Sequence, residues 1–308
     1  QYSKAKAEVE SALHKIPVIG NSMVSGIQHG KKLLRRAIYN STVFENMGFQ
    51  YVGPLDGHDV LALEDLFVNL QNQTAPLFIH VVTQKGKGFK PAEQNPGAFH
   101  GVSAFDVHSV PDPDVSPDGS FSTIFGTKLV ELGNKYPNIC AITAAMKYGT
   151  GLQFFYRNYP ERFFDVGMAE QHAVTFAAGL SREKMLPVVS IYSTFLQRSY
   201  DQIIHDVVLQ NLDVVFAVDR AGLVPGDGET HQGIYDPAYF SQMQGMRVVS
   251  PSNFSELEYW LEKLVTEGHG PRAIRYPRGV EAQSLAQLPC TGNTFDIVQQ
   301  APNAHVAL

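Results

Sequence analysis

The stretch "PVVSIYSTFLQRSYDQIIHDVVLQNLDVVFAVD", residues 187–219, decides the fold. Two short runs within it, "PVVSIY" and "DVVFAVD", are apolar at successive positions rather than alternate ones. A strand with one wet face alternates, whereas a strand covered on both faces reads as a continuous apolar run. Between the two lies "LQRSYDQIIHDVVLQN", a segment of helical length. Strand, helix and strand in that order predict a parallel crossover unit in a sheet with helices on both faces.

The same alternation extends in both directions. "ICAIT", "FFDVG", "RVVS" and "AIRYP" are further strand-like runs, and "FSTIFGTKLVELGNKY" and "NFSELEYWLEKLVTE" are helices between them. The second helix starts at Asn253, with Glu256 three residues on, a variant of the capping box. Residues 121–280 therefore read as one doubly wound α/β domain. Residues 1–101 read as the C-terminal part of another α/β domain. There "HDVLALEDLFVNL" spaces Leu63, Leu66, Phe67 and Leu70 as one helix face, and "PLFIHVVT" reads as a buried strand. Residues 102–120, which include "SVPDPDVSPDGS", hold too much Pro, Asp and Ser for a helix or central strand and form a linker. Residues 281–308 read as a second linker and the start of a further domain.

Composition narrows the function. The chain has 308 residues and a net charge of −6, with no stripe of Lys and Arg. The cluster "GKKLLRRAI" at 30–38 reads as a charged helix, so nucleic acid is not an expected partner. The two cysteines have neither metal-ligand nor disulfide-framework spacing. No apolar run approaches the roughly 20 residues of a membrane span, and no signal peptide is visible. The chain begins at Gln and stops at "APNAHVAL", so it is expected to be an internal piece of a longer protein, inactive on its own.

In doubly wound sheets ligands bind beyond the carboxyl ends of the strands. The unusual residues fall there: Glu170 after "FFDV"; Tyr192, Phe195 and Arg198 after "PVVSI"; Arg220, Asp227 and His231 after "VVFAVD"; Arg275 and Arg278 at the last strand. Glu170 stands among Phe163, Phe164, Val166, Met168, Ala169, Ala173, Val174 and Phe176. Such company favours a protonated or proton-sharing carboxyl group. Its other reading is a partner for the helix dipole. Guanidinium groups hold phosphate bidentately, which suits Arg220 and Arg278, with Arg275 more readily an ion pair. "TQKGKGFKPAE" is a weaker candidate, cradling phosphate through Lys85, Lys87 and backbone N–H groups. "GDG" at 226–228 with Asn253 imitates a diphosphate–magnesium motif. However, it lies several residues into a loop, and Asn253 is better explained as a cap. His100 stands alone, and His172 reads as structural.

These motifs carry a resemblance. "DVGMAEQHAVTFAAGL", "IYSTFLQRSYDQIIHDV", "DRAGLVPGDGETHQG" and "RYPRG" resemble the pyrimidine-binding domain of the 1-deoxy-D-xylulose-5-phosphate synthase family. "YVGPLDGHD", "KGKGFKPAE" and "FHGV" resemble the end of that family's first domain. The resemblance implies a homodimeric, thiamine diphosphate- and Mg2+-dependent transferase, bacterial cytoplasmic or plastid. Its substrates would be pyruvate and D-glyceraldehyde 3-phosphate, and its products 1-deoxy-D-xylulose 5-phosphate and CO2, feeding isoprenoid, thiamine and pyridoxal synthesis. By position it implies Glu170, His100 and His231 as catalytic residues. Glu170, Phe195, Lys85 and Phe89 would bind the cofactor. Tyr192, Arg198, Arg220, Asp227 and Arg278 would bind substrate. The metal motif would lie upstream of residue 1. Phe89 replaces the family's frequent Tyr, Ala144 its usual Pro, and Pro225 is an addition. Two alternatives stay open. One is another transketolase-like enzyme or an E1 β-type subunit, against which "YSTFLQRSYDQIIHDV" and "GETHQG" argue. The other is a non-catalytic remnant.

Overall fold

The computed structural model describes residues 42–102, 104–108 and 119–293. The expected helix at 30–38, most of the linker and the last fifteen residues lie outside them. The chain divides into two compact units, Gln1–Pro96 and Gly97–Leu308.

In the first unit the described elements are α1 (Thr42–Asn46), β1 (Gln50–Asp56), α2 (Val60–Leu70), β2 (Leu77–Val82) and α3 (Lys90–Gln94). Asp59 starts α2 by accepting a hydrogen bond from Ala62 N. β1 and β2 pair in parallel, with Gln50 opposite Leu77. The expectation of a buried strand at "PLFIHVVT" is corrected here. Val81 and Val82 are exposed, and among the described residues β2 pairs only with β1. Phe67, assigned to the buried stripe of α2, is exposed as well.

The second unit is a six-stranded parallel sheet in the order β4-β3-β5-β6-β8-β7. Its elements are α4 (Phe121–Lys135), β3 (Ile139–Thr143), α5 (Leu152–Asn158), β4 (Phe163–Asp165), α6 (Glu170–Arg182) and β5 (Leu186–Tyr192). Next come α7 (Ser193–Leu196), α8 (Tyr200–Gln202), β6 (Val215–Asp219) and α9 (Asp236–Ser241). β7 (Arg247–Val249), α10 (Phe254–Thr266), β8 (Arg272–Arg275) and α11 (Gln283–Ala286) complete it. All six strand-like runs form strands. Successive residues of one strand enter opposite cores, which is why the runs read as continuously apolar. Phe216 and Val218 face one core and Val215 and Ala217 the other. Leu257, Leu261 and Leu264 of α10 fill the second core, and Ala173, Val174 and Ala177 of α6 the first.

The predicted helix after β5 is a helical segment over 193–208 that changes its hydrogen bonding and ends in a π-helical turn, Ile203–Val208. Asn253 caps α10, its Oδ1 accepting from Glu256 N at 2.9 Å. The returning arm departs from the capping box, since Glu256 Oε2 accepts from Ser252 N at 2.7 Å instead of from the cap residue. Among the described residues no helix is long and apolar enough to cross a membrane.

Candidate active site

Asp165 closes β4 and shapes the turn into α6. Its Oδ1 accepts from Ala145 N at 2.8 Å and Gly167 N at 3.0 Å. Ala145 and Gly167 both have left-handed φ, 62° and 73°, so one carboxylate holds two tight turns at adjacent strand ends. That turn delivers Glu170 to the first position of α6, where it is 4% exposed. The apolar surround is only partly as expected. Phe164, Val166 and Phe176 pack on the core, but Met168 is 88% exposed. A cation completes the surround. Arg198 Nη1 lies 3.8 Å from Glu170 Oε1, and the Arg198 guanidinium lies 5.6 Å from the centre of the Phe195 ring. His172 is exposed and stacks on Phe176.

Phe195 sits one turn beyond the end of β5. Its ring meets His231 edge-on at 5.2 Å and stacks at 6.0 Å with Tyr192. His231 Nδ1 shares a hydrogen bond with Thr230 Oγ1 at 2.9 Å. Over the Tyr192 ring, at 3.9 Å, lies the guanidinium of Arg220. Burial pushes the Tyr192 hydroxyl up to about 12, opposed by Arg220, so it stays a neutral hydrogen-bonding group. Gly149 is required beneath it, because a Cβ there would collide with the Tyr192 hydroxyl.

Asp227 bridges the two arginines. Arg220 Nε donates to Oδ2 at 2.8 Å, and Arg278 Nη1 donates to Oδ1 at 2.5 Å. The loop presenting it is closed at its base by paired hydrogen bonds between Gly222 and Gly233. Inside the loop, Gln232 bonds both the N–H and C=O of Val224 and the C=O of Gly228. Gly226 lies directly against the Arg278 guanidinium, and a Cβ there would displace Nη1. Among the described residues, Nη1 and Nη2 of Arg220 and Nε and Nη2 of Arg278 make no hydrogen bond.

The contacts thus run without a break from Glu170 through Arg198, Phe195, Tyr192, Arg220 and Asp227 to Arg278, with His231 against Phe195. Arg275 belongs to a different network. Its Nε donates to the buried Asp236 at 2.6 Å, and Ser193 Oγ donates to the same carboxylate at 2.7 Å. The ion-pair reading therefore holds for Arg275. Asn253 is equally committed, its Oδ1 to the cap and its Nδ2 to Leu285 O at 2.9 Å.

Lys85 and Phe89 lie in the first unit, and His100 is exposed in the segment leading into the second unit's first helix. Within "KGKG" two backbone N–H groups are engaged by the loop itself, Gly88 N donating to Glu93 Oε1 at 2.8 Å and Lys87 N to Gln84 O.

Sequence reasoning passed over Asp165, Asp219, Asp236 and Ser122. Asp219, at the end of β6, is fully buried. It accepts from Ser122 Oγ at 2.7 Å and from Arg220 N at 2.6 Å. Burial raises its acid to about 7 against the pull of these donors and of Arg220. An Asp ending an apolar strand directly before an Arg was the available signal.

Residues 119–281 match the family described as transketolase, pyrimidine binding domain. Residues 1–83 match that described as 1-deoxy-D-xylulose-5-phosphate synthase. Among similar proteins, the 1-deoxy-D-xylulose-5-phosphate synthase of Carboxydothermus hydrogenoformans is 48% identical over 99% of this chain and 49% of its own length. That of Natranaerobius thermophilus is 47% identical over 91% of this chain and 44% of its own. The chain thus spans about half the length of these relatives. A solved structure titled "Split gene transketolase, inactive beta4 tetramer" aligns at 32% identity and a TM-score of 0.47, over 53% of this chain and 52% of that one.

Proposed function

Because the chain belongs to the transketolase pyrimidine-binding-domain family, we propose that its protein is a thiamine diphosphate-dependent transferase. It condenses pyruvate with D-glyceraldehyde 3-phosphate to 1-deoxy-D-xylulose 5-phosphate and CO2. The observation that carries this reading is the unbroken run of contacts from Glu170 to Arg278 on one rim of the sheet. It places a buried acid and an aromatic ring at one end and a pair of arginines at the other. The relatives named 1-deoxy-D-xylulose-5-phosphate synthase support the same product.

The residues fit the pyrimidine end of the cofactor. A buried carboxyl group at a helix start is placed to hold a proton against a ring nitrogen, and the Phe195 ring offers a flat apolar face. When bound, thiamine diphosphate supplies the electron sink for decarboxylation. Glu170 would hold the pyrimidine ring by keeping a proton at its carboxyl oxygen, and Arg198 would balance the charge beside it. His231, Tyr192 and Asp227 line the acceptor's place. The unbonded nitrogens of Arg220 and Arg278 grip its phosphate, while Asp227 keeps the two guanidinium groups together.

The residues do not fit the diphosphate end. Asp227 and Asn253 are engaged elsewhere. Among the described residues no group of three or more His, Cys, Asp or Glu side chains is placed to hold a metal ion. Magnesium and its ligands, homodimerisation, a cytoplasmic or plastid setting, and the parts played by Lys85, Phe89 and His100 are proposed on the resemblance alone. The test is a donor assay on the full-length protein with thiamine diphosphate and magnesium. Release of CO2 from pyruvate, dependent on glyceraldehyde 3-phosphate, is expected. Turnover of ketose phosphates in place of pyruvate would sink the reading.

A further inference from the structure

Arg220 adopts a backbone conformation that arginine rarely takes, with φ of 55°. Such a residue persists only where its surroundings determine it. Three contacts do so. Asp219 Oδ1 accepts the Arg220 N–H at 2.6 Å, the Tyr192 ring lies under the guanidinium at 3.9 Å, and Asp227 takes Nε at 2.8 Å. The next residue is pinned as well, Ala221 N donating to Tyr276 O at 2.9 Å. Asp219 is itself anchored from far along the chain by the hydroxyl of Ser122 in the first turn of α4. Register pairs Asp219 with Tyr192 across β5 and β6, so the carboxylate and the ring under Arg220 end adjacent strands together.

We infer that Asp219 is a positioning residue for the phosphorylated acceptor. By capturing the Arg220 N–H, and with Ser122 behind it, it holds the left-handed turn that lays the guanidinium over Tyr192 and within reach of Asp227. Asp219 is fully buried, so it acts only through Arg220. A buried carboxylate is costly unless its hydrogen bonds accomplish something, and here they fix one residue of the arginine pair. The inference rests on the phosphate role given to Arg220 and Arg278.

The test compares KM values in the full-length enzyme for glyceraldehyde 3-phosphate, unphosphorylated glyceraldehyde and pyruvate. Asp219→Ala is expected to raise KM for the phosphorylated aldehyde at least about tenfold relative to the unphosphorylated one, from loss of a charged hydrogen bond. The KM for pyruvate should hold. Asp219→Asn keeps the shape and the acceptor oxygen, and is expected to return the ratio to within about threefold of the unaltered enzyme. An unchanged ratio in Asp219→Ala, or an equal rise for all three compounds, overturns the inference. Arg278→Ala separates it from the reading beneath. If Arg278→Ala moves the ratio and Asp219→Ala does not, only the role of Asp219 falls. If Arg278→Ala leaves the ratio alone, the phosphate assignment fails and takes the inference with it. Should Asp219→Ala not fold, Ser122→Ala decides: a raised ratio supports the inference and an unchanged one overturns it.

Discussion

Replacing Asp219 by Asn should make the protein more stable at neutral and alkaline pH, and the size of the gain follows from the site. The carboxyl group is fully buried, and burial raises its acid from 3.8 to about 7. The anion is favoured by the Ser122 hydroxyl, the Arg220 N–H and the charges of Arg220 and Arg278. Desolvation opposes it and outweighs all these favourable contributions. A group whose folded pKa exceeds its unfolded one stabilises most below the unfolded value and loses that stability as pH rises through the folded one. The full difference of about three pH units corresponds to about 4 kcal/mol. Between about pH 5 and about pH 8 the linkage relation leaves about 2.5 kcal/mol of it. Asparagine repeats the geometry, its Oδ1 accepting from Arg220 N and its amide donating to Ser122 Oγ, but it does not titrate.

The assay is urea unfolding of the 308-residue chain and its Asp219→Asn variant across that range. The signal is the fluorescence of Trp260, the single tryptophan, which packs against the core of the unit holding Asp219. The stability of the unaltered chain minus that of the variant should fall by about 2.5 kcal/mol as pH rises from about 5 to about 8. A difference that stays flat would show that burial does not control this acid. A flat difference is also what an acid held ionised throughout by the arginines would give.

Two further outcomes follow from the site. Glu170→Gln in the full-length, cofactor-saturated enzyme should lower kcat about 100- to 10,000-fold, the usual range for a lost proton-transfer group; near-normal turnover would remove Glu170 from the chemistry. Asp236→Ala should destabilise the second unit by about 3–5 kcal/mol, because it strands Arg275 in a mostly buried place. A loss below about 1 kcal/mol in chemical denaturation would mean that Arg275 finds water instead.

The frame of the second unit was legible because its signal is local. Each strand buries both faces, so each appears as an apolar run, and the carboxyl ends of those runs mark where a ligand belongs. Glu170, Tyr192, Phe195, Arg220, Asp227, His231 and Arg278 could be chosen from that rule, and the structure joins them by contacts. What escaped is long-range. Ser122 and Asp219 are 97 residues apart, and Ser193 and Asp236 are 43 apart. No spacing or periodicity announces a pair that only the sheet order brings together. Met168 shows the opposite error: an apolar residue beside an acid in sequence need not enclose it in space. In the "KGKG" loop two of the N–H groups a phosphate would need, those of Lys87 and Gly88, are engaged by the loop's own turn.

The acids of this rim divide by what they hold rather than by how deeply they are buried. Asp165 and Asp219 accept backbone N–H groups at strand ends and fix residues in left-handed turns, Ala145, Gly167 and Arg220. Asp227 and Asp236 accept guanidinium groups and fix side chains. Glu170 alone, in the first turn of its helix, has only a cation at 3.8 Å, a distance too long for a hydrogen bond. The first four carboxylates each hold a backbone or guanidinium donor of the protein at 2.8 Å or less, and so serve as scaffold. An acid left with hydrogen-bonding capacity at the carboxyl edge of a closed apolar core is the one suited to an incoming ring nitrogen. That asymmetry, rather than burial as such, singles out Glu170.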